Sequence, residues 1–220
     1  MAVTFRKRAI LFDLDGVLVD STLPVEKGWR NWAKRHGLDP EKVICAAHGR
    51  RTIETVREFL PQSDVEAEAA ALDRAEVHDI EGLLVVPGAA ELIAHVPDGR
   101  WGICTSGTTE VAMARLRFAK LPAPRVLISS EMVTKGKPDP EPYLETAKRL
   151  GFSAADCVVI EDSPAGTSAG KRAGALVIGV TTTYSARDLE TADVIVPDLC
   201  AISVKTERER LRIQIIAKTT

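Results

Sequence analysis

Two carboxylates one residue apart, Asp13 and Asp15, close an apolar run that begins at Ala9, and Gly16 follows them at once. In extended backbone, residues two apart face the same side, so both side chains can address one point. Gly16 lets the chain turn sharply there without steric penalty. Carboxylates crowded at the end of a buried run are costly unless something positive sits between them, and a divalent cation is the natural candidate. The plainer alternative is a pair of turn residues, because Asp is common wherever strands end.

Three further polar clusters weigh on that choice. Thr105-Ser106-Gly107 follows the apolar run Trp101-Gly102-Ile103-Cys104, Glu161-Asp162 follows Cys157-Val158-Val159-Ile160, and Lys137 lies in the loop segment Lys135-Gly136-Lys137-Pro138-Asp139-Pro140. Taken singly, Thr105-Ser106 reads as a helix cap, Lys137 as a surface lysine, and Glu161-Asp162-Ser163 as a cap before Pro164. Taken together, with three of the four clusters at the ends of strands, they make a site, since open α/β sheets bind ligands beyond the carboxyl ends of their strands.

Charge indicates what such a site holds. Asp13, Glu161 and Asp162 bring about three negative charges and a phosphate ester dianion about two more, which Lys137 alone does not balance. A hard divalent cation with oxygen ligands, Mg2+, suits this inventory. In that chemistry Asp13 is the nucleophile and becomes an aspartyl-phosphate. Asp15 protonates the leaving oxygen and then activates the hydrolytic water. The Thr105 hydroxyl, the Ser106 and Gly107 backbone, and Lys137 hold the phosphoryl oxygens.

The elements that position these groups are legible as alternating strands and helices. From residue 101 onward, apolar runs at 101–104, 125–129, 157–160, 175–180 and 194–196 are separated by helical patterns. Runs that are apolar throughout belong to strands buried on both faces, so the pattern predicts a Rossmann-like parallel sheet of the α/β class with helices on both faces. Residues 22–82 carry almost no strand signal. Val25, Trp29, Trp32 and Ala33 recur at helical spacing, and two more helices are expected up to about Leu60 and Ile80. This block reads as a helical unit inserted into a core built from residues 1–21 and 83–220. Residues 205–220 are charged and then apolar, and are expected to form a peripheral helix or tail.

Composition narrows the class of protein. A chain of 220 residues, 45% hydrophobic, can bury a sizeable core, and a net charge of -2 gives no bulk reason to bind nucleic acid. No apolar run approaches a membrane span, and the apolar segment at Ala9 comes too early for a signal peptide. Cys45, Cys104, Cys157 and Cys200 are scattered, without metal-ligand spacing or a disulfide framework. A cytoplasmic monomer is the expectation.

At these residues the chain resembles the haloacid dehalogenase superfamily of phosphatases. Asp13-Leu14-Asp15-Gly16-Val17-Leu18 is similar to its first motif, Thr105 to the second, Lys137 to the third and Glu161-Asp162 to the fourth. The resemblance implies Mg2+ ligation by Asp13, the Asp15 backbone carbonyl and Asp162, with Glu161 supporting, and implies that the inserted helices form a cap closing over the site. The segments around Thr105, around Lys137 and at His48-Gly49-Arg50-Arg51-Thr52 resemble the sugar-phosphatase branch, whose members act on small phosphorylated sugars or polyols. His48, Arg50 and Arg51 are the cap's candidate substrate contacts, with Arg51 first among them; a solvated basic turn is the alternative. A phosphomutase of the beta-phosphoglucomutase type is the competing enzyme. Its relatives carry a His in the segment leaving the first motif, where this chain has Val25. Asp15 argues against phosphonatase and dehalogenase chemistry, and a non-catalytic sugar-phosphate binder is the third class.

Overall fold

The structure, a computed structural model, describes residues 3–216. β1 (Val3–Lys7) leads into β2 (Ala9–Phe12), and the loop after β2 passes through β3 (Val19–Asp20) into four helices, α1 (Thr22–Arg35), α2 (Pro40–Ala47), α3 (Thr52–Phe59) and α4 (Val65–His78). The chain returns through β4 (Leu84–Val85) and α5 (Ala89–Ala94). It then alternates β5 (Trp101–Cys104), α6 (Thr109–Ala119), β6 (Leu127–Ile128), α7 (Glu141–Leu150), β7 (Cys157–Glu161), α8 (Pro164–Arg172) and β8 (Leu176–Val180). β9 (Val194–Val196), β10 (Ile202–Glu207) and β11 (Arg210–Ile215) complete it.

The main sheet is parallel, with strand order β6-β5-β2-β7-β8-β9. β2 lies near its middle, and the alternation of its side chains divides the core. Ile10 and Phe12 pack with residues of α5 and α6 on one face, whereas Ala9 and Leu11 pack with Tyr143 and Ala147 of α7 and Ala169 of α8 on the other. All four β2 residues are fully buried, as the unbroken apolar run requires.

The four helices α1–α4 gather around an apolar cluster of their own, centred on Trp29, Trp32, Val43, Val56 and Leu72. Trp29 and Trp32 meet edge to face, and the Trp32 indole donates to Glu68 at 2.9 Å. α2 has no counterpart in the sequence reading, although Asp39 caps it and Pro40 occupies its first turn. The antiparallel pair β3–β4 carries the chain into and out of this unit.

The termini depart from expectation. Residues 205–216 form neither helix nor loose tail: β10 and β11 make an antiparallel hairpin, and β11 also pairs with β1. Leu211, Ile213 and Ile215 are buried at every second position, the period of a strand. Residues 217–220 lie outside the described residues. Arg6 and Lys7 lie within β1, the strand that β11 pairs. Among the described residues no helix is long and apolar enough to cross a membrane.

Candidate active site

β2 ends at Phe12, and the Asp13 amide still donates to the Ile160 carbonyl, so sheet pairing carries Asp13 to the carboxyl edge beside β7. The backbone then folds on itself: Leu18 and Val19 donate to the Leu14 carbonyl, and Gly16 donates to Val19. Gly16 has φ +78°, and a Cβ there would fall 1.9 Å from the Asp162 carboxylate. Glycine at this position therefore lets the first loop approach the loop after β7.

Around that approach the sequence-expected residues converge. Carboxylate oxygens of Asp13, Glu161 and Asp162 lie within 4.8 Å of one another. Lys137 is buried and meets Asp13 at 2.8 Å and Glu161 at 2.6 Å. Burial pushes the Asp13 carboxyl up to about 7, against the pull of Lys137. Asp162 is raised by burial and by the neighbouring carboxylates of Glu161 and Asp13. Burial would also raise Glu161, but Lys137 and the hydrogen bonds it receives hold it below the usual carboxylate range. The same two carboxylates overcome burial to hold the Lys137 ammonium charged.

Glu161 differs from the other two acids in how its oxygens are used. Oε1 accepts from Lys137 and from the Tyr143 hydroxyl at 2.9 Å, and Oε2 accepts from the Asp162 and Ser163 amides and the Ser163 hydroxyl. With both oxygens so engaged, Glu161 orients its neighbours rather than offering a ligand atom. Hard oxygen donors on Asp13 and Asp162, with Lys137 alone among the described residues opposing three carboxylates, form a donor set that fits a divalent cation of the Mg2+ kind.

Thr105 and Gly107 stand beyond β5, with the Gly107 amide donating to Thr105 Oγ1 at 3.0 Å. The Ser106 hydroxyl donates across to the Gly49 carbonyl in the helical unit, tying the loop after β5 to the His48-Gly49 turn. The Asp15 Oδ1 accepts from Ser21 at 2.7 Å and is paired with Arg115 Nε at 2.5 Å. Together with Asp13, Asp162 and Thr105–Gly107, these residues line one cavity.

The helical unit roofs that cavity. His48 and Arg50 line it, as do Val25, Thr52 and Glu76. The His48 ring packs edge to face against Tyr184, and burial lowers its pKa. Arg50 is paired with Glu58 at 2.8 Å.

Arg51, the first choice among the expected substrate contacts, does not line this cavity. Its guanidinium is paired with Glu54 and donates to the carbonyls of Ser130, Val133 and Thr134, the loop that leads to Lys137. Glu54 in turn accepts from the Gly136 amide at 3.1 Å. Arg51 is turned away because it fastens the helical unit to the core.

Sequence reasoning missed Arg115, Glu76 and Thr183, all of which line the cavity. Two of them carried a signal. Arg115 shares the buried stripe of α6 with Val111, Ala112 and Leu116, and Glu76 continues the Val65, Ala69, Leu72 stripe of α4. A charged residue on an otherwise apolar helical stripe marks a buried partner.

Comparison with known proteins agrees with this geometry. The family model described as haloacid dehalogenase-like hydrolase matches residues 7–174. Hexitol phosphatase A of Escherichia coli (strain K12) is 42% identical over 204 residues, covering 90% of this chain and 94% of that protein. 2-Deoxyglucose-6-phosphate phosphatase 1 of Saccharomyces cerevisiae is 33% identical, covering 90% and 91%. The crystal structure of a hydrolase from Pseudomonas syringae superposes with a TM-score of 0.72 at 26% identity, covering 87% of this chain and 93% of that one.

Proposed function

The chain belongs to the haloacid dehalogenase-like hydrolases, and from that premise we propose that it is a Mg2+-dependent phosphatase of small sugar or polyol phosphate monoesters. The observation that carries the reading is the placement of Asp13 against Lys137 and Asp162, with Asp15 lining the same cavity. Similarity to sugar-phosphate phosphatases supports the substrate class.

An Asp13 oxygen attacks phosphorus as the bond to the leaving alcohol breaks, and Asp15 gives its proton to the departing oxygen. Water then attacks the aspartyl-phosphate, Asp15 takes that water's proton, and inorganic phosphate leaves with Asp13 restored. The Thr105 hydroxyl, the Ser106 and Gly107 amides and Lys137 hold the phosphoryl oxygens throughout. Asp13, the Asp15 carbonyl and Asp162 are the residues that would hold Mg2+, with Glu161 supporting them. When bound, the cation supplies charge neutralisation to the phosphoryl oxygens.

Residues 22–82 act as the cap over a core of residues 1–21 and 83–220, excluding water and contributing His48 and Arg50 to the substrate. The competing mutase reading is disfavoured by Val25, an apolar side chain lining the cavity where the mutases' assisting His would be expected. We place the enzyme in the cytoplasm as a monomer with no nucleic-acid or membrane partner.

The test is phosphate release from a panel of sugar, polyol and glycolate phosphates, with Mg2+ and with chelator. Asp13→Asn is expected to lower turnover by at least about 1000-fold while leaving the circular dichroism spectrum unchanged. Full activity in that variant would overturn the mechanism. Conversion of a hexose 1-phosphate into a 6-phosphate without free phosphate would favour the mutase, and thermal stabilisation by ligand without turnover would favour the binder.

A further inference from the structure

Two charged side chains that the proposed chemistry does not use, Arg115 and Glu76, link Asp15 to the helical unit. The Arg115 side chain is only 2% exposed; its Nε meets Asp15 at 2.5 Å and its Nη2 meets Glu76 at 3.1 Å, so one guanidinium joins the first loop of the core to α4. Glu76 is itself mostly buried, and burial pushes its carboxyl up to about 7 against the pull of Arg115. Both side chains line the cavity.

The charges that face a leaving alcohol follow from these pairings. Arg50 is matched by Glu58, burial favours the neutral His48 ring, and Arg115 is shared between two carboxylates. Away from the phosphoryl end, the cavity wall therefore presents Glu76 and Asp15 on a single guanidinium. Above about pH 7, where Glu76 is ionised, a second anionic group on the substrate would meet its charge where solvent screens little and where, among the described residues lining the cavity, every cation away from the phosphoryl end is already paired. Hydroxyl groups meet no such repulsion, and a carboxylate is a ready acceptor for them.

We propose that Glu76, held in place by Arg115, determines specificity by admitting neutral, hydroxyl-bearing leaving alcohols and rejecting those that carry a second anionic group. The proposal rests on the phosphatase reading above and narrows it, setting phosphorylated acids and bisphosphates outside the preferred substrates. Rejection by like charge is a specificity element in its own right, separate from attractive contacts to the preferred ester.

The test compares esters matched in carbon chain: a hexitol 6-phosphate against the aldonate 6-phosphate with a terminal carboxylate, and glycerol 3-phosphate against 3-phosphoglycerate. Each pair is assayed above pH 7, where the Glu76 carboxyl is ionised, with wild type and with Glu76→Gln, which keeps an acceptor for Arg115. Wild type is expected to favour the neutral ester by at least about tenfold in kcat/KM, and Glu76→Gln to shrink that ratio by at least about fivefold, chiefly through the KM of the acid. An unchanged ratio in folded Glu76→Gln overturns the proposal. So does a wild-type preference below about threefold, a criterion that stands even if the variant fails to fold. Hydrolysis with a flat ratio sinks this proposal alone. Release from none of these or the other sugar and polyol phosphates sinks the phosphatase reading, and the proposal with it.

Discussion

Lys137 is a fully buried ammonium that meets two carboxylates, Asp13, the proposed nucleophile, and Glu161, whose oxygens hold the loop after β7. Removing one member of a buried ion cluster leaves the others uncompensated, at a cost of about 3–5 kcal/mol. Lys137→Met is therefore expected to lose stability on that scale in denaturant titrations along with its activity; a loss under about 1 kcal/mol would show that the cluster is not held by this charge. Gly16→Ala meets a different obstacle, since its φ of +78° and its closeness to Asp162 leave no room for a methyl group. The loop must shift, and the expected result is lost Mg2+-dependent turnover with a melting temperature lowered by several degrees. Wild-type turnover would show that the loops can separate freely. The residues of the nucleophile loop were legible in the sequence because their spacing and their place at the end of an apolar run define the chemistry. Arg115 and Glu76 each carried the signal of a charge on an apolar stripe, but that they pair with one another was not legible, because their meeting depends on how α4 crosses α6.

Between elements, a clamp at the N-terminus of α3 links the helical unit to the core. Arg51 donates to three carbonyls of the 130–134 loop while Glu54 accepts from Gly136, one residue before Lys137. Hydrogen bonds to charged groups contribute about 1.5–3 kcal/mol each when their partners are otherwise desolvated. Arg51→Ala is expected to speed amide exchange across residues 130–136 and to lower kcat/KM by about tenfold or more through misplacement of Lys137. Exchange rates matching wild type would place the hold on that loop elsewhere. The alternating strands and helices of the core were readable because continuous apolar runs have few other homes. The β10–β11 hairpin was not, because the charges at Lys205, Glu207, Arg208, Glu209 and Arg210 hide the alternation that Leu211, Ile213 and Ile215 continue. The basic turn at residues 48–51 was located by its composition, but which of its side chains faces the cavity depends on the docking of α3 against the 130–134 loop.

For the molecule as a whole, the buried acids set a pH dependence whose sign follows from the direction of their shifts. Asp13 and Glu76 are each pushed up to about 7, and Asp162 is raised as well. Between the ordinary carboxylate range near pH 4 and pH 7, the folded chain thus holds protons that the unfolded chain has released, and stability falls as pH rises through that window. Glu161 is held low, so its contribution is lost only as pH falls below the usual carboxylate range, and that of Lys137 is lost only far above neutrality. In chelator, the melting temperature is expected to fall from pH 5 to pH 8, and Mg2+ to raise it more at pH 8 than at pH 5. A melting temperature that rises with pH in chelator would show that these acids are ionised without help. The pairing of β1 with β11, Val3 opposite Ile215, bears on the chain's birth as well as its finished form. A ribosome releases β1 long before β11 exists, so until β11 is made β1 is a bare strand without the neighbour that will cover it. The growing chain is then open to pairing with other chains at that edge, and its yield should depend on how soon the last hairpin arrives.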